Sequence, residues 1–195
     1  IPNPVDTSLE KLKNYQNKSF NNDVFFAMSH GVHRGILKKG KYDKREELID
    51  KLMKKIPDIR FDLHGMKSNQ PIWADSYINA ISQSKIGLNL SQGKPVKYYS
   101  SDRFAQLIGN GLLVMVDQKT KLNNFFTDKE IIFYKNINDL SKKIVKYSND
   151  HKLRNKIAKR GRDKYFKFFN STLIAKFIIN KAFDIKKDKF YWDVD

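Results

Sequence analysis

Residues 98–116 read Tyr98-Tyr99-Ser100-Ser101-Asp102-Arg103-Phe104-Ala105-Gln106-Leu107-Ile108-Gly109-Asn110-Gly111-Leu112-Leu113-Val114-Met115-Val116. Two elements are legible in this one stretch. Ser100 or Ser101 can cap a helix over 102–109, in which Phe104, Leu107 and Ile108 share the face that meets a core. Gly111 can end that helix in the left-handed conformation, where a side chain would be strained. The unbroken apolar run that follows is short and bounded by polar residues, as a strand buried on both faces is. Free amides at the helix start, the helix dipole and Arg103 would together suit an anion. The same residues also describe an ordinary capped helix with a surface arginine, and the segment alone leaves both readings open.

The pattern repeats outward. Val24–Met28, Ile59–Leu63, Ile86–Leu90 and Ile131–Tyr134 are further short apolar runs bounded by Gly, Asn, Asp or Ser. Between them, Leu48, Ile49, Leu52, Met53 and Ile56 fall on one helical face, with Asp43 and Glu46 resembling a capping box ahead of it. Residues 71–83 form another helical stretch, and Ile137, Leu140, Ile144 and Tyr147 mark a third. Residues 152–169 and 171–183 read as consecutive helices broken near Asn170-Ser171, the second forming a terminal helix and tail over 171–195. Alternation of strand and helix predicts a Rossmann-like three-layer α/β domain with a parallel sheet of about five to six strands. With no repeat and no Pro/Gly/Ser linker, 1–195 reads as one such domain. Ligands in these sheets sit beyond the carboxyl ends of the strands, which points to the loops after Met28, Leu63, Leu90 and Val116.

Composition narrows the partners. The formal net charge is +17, which suits phosphorylated small molecules, anionic lipid or nucleic acid, although Lys, Asn, Ile, Phe and Tyr are all frequent, as an AT-rich coding sequence alone produces. Residues 152–167 hold eight Lys or Arg against one Asp. Leu153, Ile157, Gly161, Tyr165 and Phe168 form an apolar stripe along the same helix, so the charge reads as a solvated face and nucleic acid is disfavoured. There is no cysteine, which excludes disulfides and thiolate metal sites and fits a reducing compartment. The chain opens Ile1-Pro2-Asn3 with neither a Met nor a charged-then-apolar leader, so it reads as part of a longer protein without a signal peptide.

Candidate ligand contacts follow from the strand ends. The first loop, Ser29-His30-Gly31-Val32-His33-Arg34-Gly35, offers glycines for close backbone approach and cationic donors, with Gly31 and Arg34 the phosphate candidates. His30 and His33 lack a third ligand, and no metal site is expected. His64, Asn89 and Ser91 place polar groups where buried strands end. Ser101 and Arg103 complete the anion-binding set.

The segment from Arg103 to Val114 resembles the R-F-E-a-l-a-x-G-x-x-l stretch of group 1 glycosyltransferases, the spore-coat-type subgroup in particular. Ile1-Pro2-Asn3-Pro4-Val5-Asp6 is similar to the i-P-n-g-V-D opening of that family's C-terminal domain, and Phe126–Tyr134 to the loop and strand after its donor site. Asn138-Asp139-Leu140 and Ile157-Ala158-Lys159-Arg160-Gly161 are similar to its last helices. Each motif is degenerate, and their common order carries the weight. The resemblance implies one half of a GT-B architecture: the domain that binds a UDP- or GDP-linked sugar without a metal or other cofactor. An absent N-terminal domain would hold a glycan or lipid-linked acceptor.

The family further implies phosphate contacts from Gly31, Arg34, Ser101 and Arg103. It places donor nucleoside or sugar contacts at His64, Asn89, Ser91 and Gln106, with Gln106 at the ribose. No catalytic residue is implied within this chain, and the half-enzyme is not expected to act alone. Many retaining members carry two glutamates at the positions held here by Tyr98 and Gln106, so that pair is missing. The implied location is cytoplasmic, peripheral at the inner face of a membrane. The competing reading is a non-catalytic basic module, for nucleic acid or an anionic membrane surface, on a degenerate glycosyltransferase fold.

Overall fold

The computed structural model describes residues 1–28, 44–66, 69–185 and 188–193. The five apolar runs become strands β1 (Asn22–Ala27), β2 (Phe61–His64), β3 (Ser84–Asn89), β4 (Leu113–Asp117) and β5 (Ile132–Tyr134). All pair in parallel, in the order β2-β1-β3-β4-β5. Val24 lies opposite Phe61 on one side and Ile86 on the other, and Ile86 lies opposite Leu113. The chain leaves β1 for β2 at one edge and returns past β1 to β3. The sheet's switch point therefore falls between β1 and β3.

The pleat decides the layers, because successive side chains point to opposite faces. Val24 and Phe26 of β1 join Ile86, Leu88, Leu113 and Met115 on one face. There they meet α1 (Lys44–Lys55) through Ile49 and Leu52, α4 (Ile137–Asn149) through Leu140 and Ile144, and α5 (His151–Phe168) through Ile157. Phe25, Val114 and Val116 take the other face with Ile81 of α2 (Ala74–Ser82) and Phe104, Leu107 and Ile108 of α3 (Asp102–Gly109). Both faces being covered, the central positions of β1, β3, β4 and β5 are apolar on either side, and the polar residues fall at the strand ends and on the edge strand β2. Each large side chain fully buried there contributes about 1.5–3 kcal/mol.

Helix α3 is framed as its sequence requires. Ser101 Oγ accepts from Phe104 N at 3.2 Å. At the far end Gly111 has φ +79°, and Leu112 N and Gly111 N return to the carbonyls of Leu107 and Ile108, both at 3.1 Å. This pairing satisfies the last carbonyls and turns the chain into β4. The capping box assigned to Asp43 and Glu46 falls at the edge of the described residues: Glu46 is buried in the first turn of α1, and Asp43 lies outside them.

Not all of the basic run on α5 is solvated. Arg154 is buried and donates to the carbonyls of Tyr147 (3.1 Å) and Ser148 (3.3 Å). Arg162 donates to the carbonyls of Gly109 (2.8 Å) and Glu10 (3.2 Å) and stacks on Phe166. Arg154 thereby ties α5 to the end of α4, and Arg162 ties it to α3 and the amino-terminal segment. Lys152, Lys156, Lys159 and Arg160 remain exposed. The final helix, α6 (Ser171–Ala182), starts where Val5 bridges Asn170, and the Ser171 hydroxyl meets the Asp6 carboxylate. That contact and the Ser8 hydrogen bonds hold Asp6 down at about 2. Helix α6 buries Ile174 and Asn180 while Ile178, Ile179 and Phe183 stay exposed. No helix among the described residues is long and apolar enough to cross a membrane.

Candidate functional site

A cavity of about 660 Å³ opens at the carboxyl edge of β1, beside the switch point. One wall is the amino-terminal segment 8–12, the opposite wall is 71–78 at the start of α2, and the floor is α3 with Ala27 and Met28. Folding back of the first dozen residues makes the inner wall. Glu10 is buried there, with its Oε2 accepting from Asp6 N at 2.7 Å, and Leu12 N donates to Asn110 Oδ1 at 3.1 Å. Burial pushes the Glu10 carboxyl up, and the nearby charges of Asp102 and Asp6 add to the shift.

Arg103 occupies the corner between the two diverging strands. Its Nη1 donates to Ala27 O at the end of β1 (2.7 Å) and its Nη2 to Leu90 O just beyond β3 (2.5 Å). The guanidinium also lies over the Phe26 ring, 5.0 Å from its centre. The residue as a whole is half-buried, but its Nε is fully enclosed without a hydrogen-bond partner. Burial lowers its pKa to about 10, partly offset by Tyr77 and reinforced by Arg45. Among the described residues no carboxylate forms an ion pair with it. The cation therefore stays protonated at neutral pH in a partly dry corner, held by carbonyls that carry no net charge. An anion is the partner this corner lacks among the described residues.

Arg103 and Gln106 both line the cavity. Ser101 belongs to the same helix start, but its hydroxyl is already engaged, donating to Asn89 Oδ1 at 2.8 Å while capping Phe104. Asn89 is thereby a buried brace between β3 and α3, and Ser91 follows it half-buried at the strand's end. His64 is turned elsewhere. Its Nε2 lies 2.7 Å from Asp62 Oδ1, close enough for an ion pair when the ring is protonated but not aligned as a hydrogen bond. The ring packs against Phe25 at 5.9 Å, and His64 is not among the residues of the cavity wall. Gly31 and Arg34, with His30 and His33, lie outside the described residues.

The two positions at which the family resemblance implies glutamates face different spaces. Gln106 opens on the large cavity, whereas Tyr98 lines a second one of about 150 Å³ with Phe104, Phe125 and Trp192. Tyr98 has φ +61°, its Oη accepts from Asn124 Nδ2 at 2.6 Å, and its ring stands edge-on to Phe125. Gln106 Nε2 donates to Asp102 Oδ2 at 3.1 Å. A carboxylate accepts better from ribose hydroxyls than an amide does, which favours Gln106→Glu. Here the new charge would face Asp102 one turn back, and like charges at that spacing repel. If the cavity takes a nucleotide, as the resemblance implies, Gln106→Glu alone is expected to leave its affinity unchanged or lower. Gln106→Glu combined with Asp102→Asn is expected to raise it, and calorimetry on the two proteins distinguishes these outcomes.

Three wall residues escaped the local patterns. Trp73, 58% exposed, stands at the mouth just before α2, Tyr77 lies on the α2 wall, and Glu10 comes from the amino-terminal segment. Residues 71–83 read as a helical stretch, realised as α2 from Ala74, but nothing in its period says which side of the sheet meets a ligand.

A family model described as "Glycosyl transferase-like" matches residues 44–180, more than half of the chain. Among solved structures, TarM aligns with TM-score 0.60 at 15% identity over 85% of this chain and 36% of its own. Sucrose-phosphate synthase from Thermosynechococcus elongatus aligns with TM-score 0.53 at 16% identity over 73% of this chain and 34% of its own. The chain thus spans about a third of the length of these structures, and at such identities the likeness is one of fold. No curated protein matches the sequence significantly.

Proposed function

The chain belongs to the glycosyl transferase-like family, and from that premise we propose that it is the donor-binding half of a two-domain GT-B glycosyltransferase of the spore-coat-type subgroup. It takes a UDP- or GDP-linked sugar into the cavity beside the switch point. The sugar passes to a glycan or lipid-linked acceptor held by the remainder of the enzyme. The observation that carries this reading is the buried Arg103 guanidinium, which ties Ala27 O to Leu90 O and has no carboxylate ion pair among the described residues. As the glycosidic bond breaks, negative charge grows on the leaving diphosphate. A fixed cation and the amides at the start of α3 stabilise that charge without reorganising. An arginine in this place supplies the charge that a metal ion otherwise would, so the reaction is read as metal-independent. The cavity volume falls in the range of small-ligand sites. The exposed lysines of α5 suit an anionic membrane surface at the cytoplasmic face, where lipid-linked acceptors lie. The catalytic base is assigned to the other half.

Trp73 at the mouth offers a flat aromatic surface beside the cavity, suited to stack on the nucleobase. Base–aromatic stacking contributes about 1–3 kcal/mol. Trp73→Ala is accordingly expected to weaken UDP or GDP binding about tenfold, and nucleotide should quench the Trp73 fluorescence of the wild type. Calorimetry with UDP, GDP and their sugars tests the whole reading. If neither this chain nor the full-length enzyme binds any of them, the donor-site assignment is wrong.

A further inference from the structure

The cavity holds a second unmet polar group besides Arg103 Nε. Tyr77 projects from α2 with its ring edge-on to Phe25, 5.3 Å between centres. Its hydroxyl is buried and, among the described residues, has no hydrogen-bond partner, as is true of Arg103 Nε. Both side chains line the same cavity and are close enough to influence each other's ionisation. Buried polar groups are paired in the great majority of native structures, so two orphans in one pocket call for an explanation. The Nε–H can only donate, and the hydroxyl is free to donate. Their common complement is an acceptor-rich group, and the guanidinium charge makes that group anionic.

We propose that Tyr77 and Arg103 form an oxyanion subsite at the switch point, in which the Tyr77 hydroxyl and the Arg103 Nε–H donate to phosphoryl oxygens of the ligand. This assigns Tyr77 as a binding residue and rests on the donor-cavity reading given above. Burial raises the Tyr77 pKa, so the hydroxyl keeps its proton at physiological pH and brings no competing charge. Glu10, Asp75 and Asp102 also line the cavity, and the charge of Asp102 reaches Tyr77 itself, so it is the Arg103 cation that draws an anion to this corner. The sugar and base then extend toward the open side.

Tyr77→Phe tests this, because it removes one oxygen and keeps the ring on Phe25. Wild-type and variant chains are titrated calorimetrically with inorganic phosphate, pyrophosphate, UDP, GDP, uridine and guanosine. The variant should bind pyrophosphate and the nucleoside diphosphates about five- to tenfold more weakly and the nucleosides as the wild type does. Its ligand-free melting temperature should be unchanged or higher, since an unmet hydroxyl has gone. In the wild type, pyrophosphate should shift the Arg103 Nε–H resonance, a measurement that needs no variant. Equal pyrophosphate and diphosphate affinities in the two proteins overturn the subsite, as does failure of the wild type to bind any phosphate-bearing probe. Tyr77-dependent binding of pyrophosphate, with no gain from an attached nucleoside, keeps the subsite and removes the nucleotide-sugar reading. Nucleotide binding indifferent to Tyr77 does the reverse.

Discussion

Arg103→Ala should weaken nucleoside diphosphate binding by tenfold or more and lower the melting temperature by several degrees. The binding loss follows from one charge-assisted hydrogen bond to a diphosphate, worth about 1.5–3 kcal/mol. The stability loss is a tertiary effect. From the sequence Arg103 reads as a cation near a helix start, and its removal would leave the fold untouched. In the structure it bridges Ala27 O and Leu90 O across the point where β1 and β3 part. Removing it leaves two carbonyls to find other partners, at a cost of about 1–3 kcal/mol; water entering the enlarged cavity and relief of a buried charge offset part of this. A domain of this size loses about 2–4 °C per kcal/mol. Arg103→Lys should restore some affinity and little stability, because a point charge cannot reach both carbonyls as the planar fork does. Calorimetry and thermal denaturation of the same proteins separate the two effects. Unchanged affinity in Arg103→Ala would discard the residue as a ligand contact while leaving the bridge.

Gly65→Ala should be more damaging still, to the point of losing the cooperative unfolding transition. Gly65 ends β2 with φ +70°, and a Cβ added there would lie 1.5 Å from Met28 O. That oxygen is backbone, so relief requires moving the end of β1, on which the cavity floor stands. Positive φ strain adds about 1–3 kcal/mol to the clash. In the sequence Gly65 is simply the residue after His64 at the carboxyl end of a strand. The structure gives the space a side chain would need to the neighbouring strand's backbone. Circular dichroism and the yield of folded protein measure the outcome, and a variant that melts cooperatively near the wild-type temperature would refute the packing argument.

The sequence by itself determined the layered fold, because local chemistry and burial agree along it. Runs such as Leu112–Val116 have no polar face to turn to water, so they become strands covered on both sides. Ser101 and Gly111 fix the ends of α3 through bonds to residues at most five positions away. The same locality made Arg103 legible as a ligand candidate, since a helix beginning at a strand's carboxyl end meets whatever binds there, whereas Gln106 was implied only by the family resemblance. Only the tertiary structure decided how those side chains are used. Which carbonyls Arg103 bridges depends on β1 and β3 being neighbours, a pairing across 62 positions between Val24 and Ile86 that no local pattern encodes. Glu10 enters the wall because Asn110 and Arg162 fasten the amino-terminal segment over α3. Tyr77 reads as one aromatic on a helical face until that face is placed against Phe25 beside an arginine. Hydrophobic periodicity is a short-range property of the chain. A binding site is a set of polar atoms brought together from its distant parts, and packing alone says which of them are left without partners.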